Sequence, residues 1–141
     1  MKPIPESIKS KKILIVDDAK SMRALLAAIL REFGITRIDE ADDGEQAFQK
    51  IKVSGYDLVL CDWEMPKMSG IDLLKKVRDD ESINQVPFVM VTSLSNTDKV
   101  KQAIAVGTND YVVKPINTET IISKVVGVLS RTIGSDAPTS S

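Results

Sequence analysis

The sequence predicts an α/β fold: a five-stranded parallel sheet, doubly wound with helices on both faces. Three observations predict it. Short apolar runs alternate five times with longer stretches whose apolar residues recur at helical spacing. The connections between them are short, so successive strands run parallel through right-handed crossovers. The run Leu58, Val59, Leu60 has no polar alternation, as expected of a strand covered on both faces.

The elements follow in order. Residues 1–10 carry Pro3 and Pro5 among Lys, Ser and Glu and read as a flexible arm. Lys12 to Val16 is the first strand and ends on Asp17 and Asp18. The first helix places Met22, Leu25, Leu26, Ile29, Leu30 and Phe33 on one face, and Gly34 stops it. Thr36 to Ala41 is a short second strand. Asp42 or Asp43 caps the second helix, which turns Ala47, Phe48 and Ile51 inward and closes at Gly55. The third strand ends on Cys61 and Asp62, and Pro66 and Gly70 punctuate the loop beyond. A third helix from about Ser69 to Arg78 buries Ile71, Leu74 and Val77. Pro87 to Val91 is the fourth strand, ending on Thr92. The fourth helix uses Val100, Ala103 and Ile104 and stops at Gly107. Asp110 to Val113 is the fifth strand, ending on Lys114 and Pro115. Asn117 or Thr118 caps a last helix carrying Ile121, Ile122, Val125 and Leu129. One folded unit spans 11–131, and 132–141 reads as a flexible tail or the start of a linker.

Composition narrows the function classes. The 141 residues are 43% hydrophobic and 28% charged with net charge −1, which suits one globular domain. Near-neutral charge argues against a general nucleic-acid binder. No apolar run approaches the roughly 20 residues of a membrane span. The single cysteine, Cys61, has no internal partner, which fits a reducing, cytoplasmic setting. Strand alternation points it away from the face of Asp62 and gives it a structural role. Histidine is absent, so a Ser-His-Asp triad, a Cys-His pair and a histidine metal site are excluded. The chain cannot itself be a phosphohistidine donor. Any metal must be held by oxygen, which favours Mg²⁺ or a similar hard cation.

In an open parallel sheet, chemistry sits at the carboxyl ends of the strands. Here those ends carry Asp17, Asp18, Asp62, Thr92 and Lys114. Close carboxylates repel by several kcal/mol at an effective dielectric of ~20, and a divalent cation removes that cost. Asp62 then reads as a nucleophile toward phosphorus. Thr92 and Lys114 supply a hydrogen bond and a positive charge to the phosphoryl oxygens. The product is a labile acyl phosphate, which suits a reversible signal.

These residues resemble the receiver domain of two-component response regulators, and in particular the single-domain, CheY-like chemotaxis regulators. The matching motifs are Ile13 to Asp18, Asp62-Trp63-Glu64-Met65-Pro66, Met90-Val91-Thr92 and Tyr111 to Pro115, within roughly residues 11 to 130. The resemblance implies the flavodoxin-like strand order 2-1-3-4-5. It implies that Asp62 is the phosphoacceptor, and that Asp17, Asp18, Asp62 and the backbone carbonyl of Glu64 hold Mg²⁺. Thr92 and Tyr111 become the switch pair and Lys114 the phosphate-binding lysine, aimed by a cis Lys114-Pro115 bond. A histidine kinase is the implied donor. The output face is the fourth helix, fifth strand and fifth helix, and it controls a downstream protein, with a flagellar motor switch protein as candidate. The chain is then a phosphoacceptor signalling protein that assists its own phosphorylation and dephosphorylation, and not an enzyme with a separate substrate. Neither nucleic acid nor membrane is a direct partner.

Glu64 stands where the chemotaxis members often carry Asn, and a carboxylate there can repel an anionic donor or pair with Lys114. Leu94, two past Thr92, can shield the site from water. Ile116 and Asn117 replace a frequent Phe-Thr on the partner-facing surface. Trp63 reads as a ring beside the site, and Lys99 and Lys101 as a solvated helix face. A Mg²⁺-dependent aspartyl phosphatase is one rival, although Asp62 and Asp17 lack the second Asp two residues on that such enzymes use. A flavin or nucleotide carrier lacks its phosphate loop after Val16. A pseudo-receiver is a third, although no site residue is missing. The last is the receiver fragment of a larger regulator, and no helix-turn-helix is present.

Overall fold

The computed structural model describes residues 4–136. Five strands form one parallel sheet in the order β2-β1-β3-β4-β5: β1 (Lys12–Val16), β2 (Arg37–Ala41), β3 (Leu58–Cys61), β4 (Phe88–Thr92) and β5 (Asp110–Val113). The expected order and parallel sense are therefore observed. Among the described residues, six helices accompany them: α1 (Glu6–Lys9), α2 (Lys20–Glu32), α3 (Gly44–Ser54), α4 (Gly70–Asp79), α5 (Thr97–Val106) and α6 (Thr118–Asp136).

The sheet separates two apolar layers. Ile13, Ile15, Leu58, Leu60, Val89 and Val91 face α2 and α6, while Leu14, Val16, Val59, Cys61, Phe88 and Met90 face α3, α4 and α5. Because β1, β3 and β4 are covered on both sides, the runs Ile13 to Val16, Leu58 to Cys61 and Phe88 to Val91 alternate between layers without becoming polar. Each fully buried Leu or Ile contributes about 1.5–3 kcal/mol of transfer free energy.

The helix starts follow their side chains. Asp43 caps α3 by accepting from the Gln46 N–H, and Gln46 reaches back to accept from the Asp42 N–H. Ser69 caps α4, Asn96 caps α5, and the Asn117 side chain accepts from the Thr120 N–H. Gly107 ends α5 with φ 116°, a left-handed turn that suits glycine.

Three expectations are corrected. The arm is not loose from residue 4 onward: Pro5 opens α1, and Ile4 and Ile8 are buried with Ile35 and Leu129. Two isoleucines among prolines and charges supply enough apolar area to dock the segment. Residues 1–3 of that arm lie outside the described residues. Leu25 is 45% exposed and Ile104 61% exposed, so neither faces inward. On α2 the buried stripe is Leu26, Ala27, Ile29 and Leu30, and α5 buries only Ala103. The expected tail begins inside α6, and residues 137–141 lie outside the described residues.

Candidate functional site

Register builds the site. Val16 pairs with Cys61, so the next residues, Asp17 and Asp62, emerge side by side. Both continue the parity of the layer formed by Ile13, Ile15, Leu58 and Leu60. Thr92 pairs with Val113, and Lys114 follows at once. The Lys114-Pro115 peptide is cis, as expected.

Lys114 lies between the carboxylates. Its Nζ is 2.9 Å from Asp17 Oδ2 and 3.3 Å from Asp62 Oδ2. Burial pulls the ammonium pKa down, but the Asp17 hydrogen bond and the charges of Asp62 and Asp17 outweigh it, leaving the pKa above its ordinary value. The other carboxylate oxygens are held locally. Asp17 Oδ1 accepts from the Ala19 N–H at 2.9 Å, and Asp62 Oδ1 from the Trp63 N–H at 2.7 Å. Asp18 is exposed, yet Asp17, Asp18 and Asp62 each offer a carboxylate oxygen within 4.8 Å of the others. Three carboxylates thus face one ammonium and leave two negative charges over. That surplus, on oxygen donors alone, fits a hard divalent cation.

Thr92 is wholly buried at the end of β4, and its carbonyl accepts from the Lys114 N–H at 2.9 Å. The Tyr111 hydroxyl donates to the Leu94 carbonyl at 2.6 Å, tying β5 to the loop after Thr92. Burial, with the Asp62 charge, raises the Tyr111 pKa, so its hydroxyl stays a donor at neutral pH.

Two side readings are corrected. Glu64 is exposed and does not pair with Lys114, whose partners are Asp17 and Asp62. Lys99 is not simply solvated: its ammonium lies 5.2 Å from the centroid of the buried Trp63 ring. Cys61 is fully buried, and burial, reinforced by Asp62, pushes its thiol pKa well up, which suits packing and not redox chemistry.

Two residues matter here beyond the sequence reading: Gly70, read there only as loop punctuation, and Arg23, which was not singled out. The Gly70 N–H donates to the Trp63 carbonyl at 2.7 Å, and a Cβ on Gly70 falls 2.0 Å from the Asp62 carbonyl oxygen. The helix start can approach the Asp62 loop only because this residue has no side chain. Arg23 Nη1 donates to the Asp17 carbonyl at 2.7 Å. The only advance signal for Arg23 was an arginine in the first turn after an acidic pair.

Residues 13–126 match the response regulator receiver domain. The chain is 40% identical over 123 residues to the chemotaxis protein CheY-3 of Vibrio cholerae, covering 87% of this chain and 95% of that protein. It is 41% identical to the chemotaxis protein CheY of Pseudomonas aeruginosa, covering 87% and 99%. Among solved structures, Vibrio cholerae CheY4 superposes with TM-score 0.78 at 31% identity, covering 84% of this chain and 98% of that one. The receiver domain of the sensor histidine kinase PA1611 from Pseudomonas aeruginosa, solved with magnesium in its active-site cleft, superposes with TM-score 0.78 at 25% identity, covering 86% and 98%. A doubly wound 2-1-3-4-5 sheet, an acidic trio around one lysine and a family match along most of the chain agree, and the chain belongs to the response regulator receiver domains of two-component systems.

Proposed function

We propose that this chain is a phosphorylation-dependent switch in which Asp62 accepts a phosphoryl group from a histidine kinase. The supporting observation is Asp62 Oδ2, 3.3 Å from Lys114 Nζ and beside Asp17 and Asp18, at the carboxyl end of β3. The carboxylate oxygen attacks phosphorus, the P–N bond to the donor imidazole breaks, and the imidazole, already protonated on its other ring nitrogen, leaves neutral with the electron pair of that bond. Asp17, Asp18, Asp62 and the Glu64 carbonyl would hold Mg²⁺, which when bound neutralises charge on the phosphoryl oxygens. The Lys114 ammonium compensates a further negative charge there. The Thr92 hydroxyl, released from the Leu94 N–H it faces at 3.4 Å, donates to a phosphoryl oxygen.

Movement of Thr92 toward the phosphoryl group draws on the Leu94 segment, to which Tyr111 is bonded. The switch pair Thr92 and Tyr111 thereby shifts the balance between two states of the surface formed by α5, β5 and α6. Ile104 and Val113 are exposed apolar residues of α5 and β5, at 61% and 41%. We assign this surface to a downstream protein. Kinship with chemotaxis regulators makes a flagellar motor switch protein the proposed target and the cytoplasm the proposed location. The chain assists its own phosphorylation and hydrolysis and does not turn over a separate substrate.

The test is addition of acetyl phosphate or beryllofluoride with Mg²⁺ while Trp63 emission is followed. The expected result is a saturable change in the wild type and none in Asp62→Ala. A silent wild type, or an equal response in the variant, overturns the reading. Sustained hydrolysis of a generic phosphomonoester points instead to a phosphatase.

A further inference from the structure

We infer that Arg23 is a positioning residue that aims Asp18 at the cation site; this rests on the Mg²⁺ reading given above. Asp18 is the exposed member of the acidic trio. Among the described residues, no hydrogen bond or ion pair holds its carboxylate. Its direction therefore depends on the backbone that carries it. The peptide linking Asp17 to Asp18 is fixed through its carbonyl, which accepts from Arg23 Nη1 at 2.7 Å. On one side of that peptide the Asp17 N–H donates to the Ala41 carbonyl at 3.2 Å. On the other, the Ala19 N–H donates to Asp17 Oδ1 at 2.9 Å. Without Arg23, the carbonyl between these two anchors loses its restraint.

Arg23 is itself held. Its Nε donates to Glu40 Oε1 at 2.9 Å, and its side chain is 14% exposed. Glu40 lies on β2 one residue before Ala41, the residue that anchors Asp17. The planar guanidinium thus spans from the strand end to the loop peptide, with one nitrogen for each. A lysine ammonium in that place cannot reproduce two donors in a fixed fork.

Two alternatives differ in the sign or scope of their effect. If Arg23 acted only as a positive charge near the site, its removal would tighten cation binding. Glu40 neutralises that charge, so the field effect is small. If Arg23 were only a clasp between α2 and β2, its loss would lower stability without singling out Asp18. A positioning role predicts weaker cation binding that depends on Asp18.

The experiment titrates the full chain with MgCl₂ and follows Trp63 emission, with calorimetry alongside and a thermal melt in EDTA. Arg23→Gln is expected to weaken Mg²⁺ binding roughly tenfold, the usual cost of losing a group that orients a metal ligand. Arg23→Lys should lie between it and the wild type. In an Asp18→Asn background, Arg23→Gln should change the remaining affinity by less than about twofold, because the two act as one unit. An unchanged or tighter Kd in Arg23→Gln, or the full effect persisting without Asp18, overturns the inference. If Arg23→Gln does not fold, Arg23→Lys, which keeps the charge but lacks the fork, decides the question: Mg²⁺ binding weakened about two- to threefold supports the inference, and an unchanged Kd overturns it. A wild type that ignores Mg²⁺ defeats the metal reading and this inference with it. A responsive wild type matched by its variants defeats this inference alone.

Discussion

The two ends of the sheet both bury charge, and they use it differently. At the amino ends of the strands, Arg78 at the close of α4 donates to the carbonyls of Gly107, Asn84 and Val86 and to the Asn109 side chain. Asn109 accepts in turn from the Phe88 N–H at 2.7 Å. Burial lowers the Arg78 pKa, but the backbone around it satisfies the guanidinium. At the carboxyl ends, Asp17 and Asp62 share Lys114, and Asp18 has no partner among the described residues. The lower end is closed on itself and the upper end carries unspent negative charge. A buried charge therefore marks a site here by the mismatch among its neighbours, and burial alone does not.

That contrast predicts opposite responses to losing a charge. Arg78→Ala should cost the most stability, about 2–4 kcal/mol in urea unfolding, because several carbonyls lose a charged donor. The folded variant should still accept phosphate. An equal loss of phosphorylation would show that the two ends are coupled. Gly70→Ala should cost about 1–3 kcal/mol, since a Cβ 2.0 Å from the Asp62 carbonyl forces backbone to move. Unlike Arg78→Ala it should also impair phosphorylation, because the displaced residue is Asp62. Asp62→Asn removes one repelling charge from the upper end. In EDTA its stability should stay level or rise by about 1 kcal/mol, against the usual trend for buried substitutions. Mg²⁺ at tenfold over Kd should stabilise the wild type by about 1.4 kcal/mol and leave Asp62→Asn nearly unmoved.

The sequence made the upper end far more legible than the lower. Strand ends are read from where apolar runs stop, and the runs before Asp17, Asp62, Thr92 and Lys114 stop on the residues that meet in space. The sheet order came with the family resemblance, since apolar runs say nothing of which strand neighbours which. Arg78 entered the sequence reading only as the end of a helix, because most of its partners are backbone carbonyls, and every residue has one. Arg23 was hidden for the same reason. The helix stripes around Leu25 and Ile104 were drawn too wide, because helical spacing gives a face but not the width that a neighbour covers. Ile4 and Ile8 were missed in a segment whose prolines and charges suggested no structure.

Glu64 offers the smallest effect and the finest test of unspent charge as the working feature of the upper end. It is exposed, two residues beyond Asp62, and Lys114 does not neutralise it. Its carboxylate therefore adds to the field met by any dianionic donor approaching Asp62. Between exposed charges that field is weak and shrinks with salt, over a screening length of about 10 Å at 0.1 M. Glu64→Asn should speed phosphorylation by acetyl phosphate about two- to fivefold at low ionic strength, and less at high. The same substitution should shorten the phosphorylated lifetime by a similar factor, because an amide at that place can orient water without repelling hydroxide. Stopped-flow Trp63 emission at two salt concentrations measures both rates. A rate gain that ignores salt means that Glu64 acts by contact with the donor. Equal lifetimes in wild type and variant remove Glu64 from the timing of the signal, leaving the half-buried Leu94, which borders the Thr92 hydroxyl, as the next position to change.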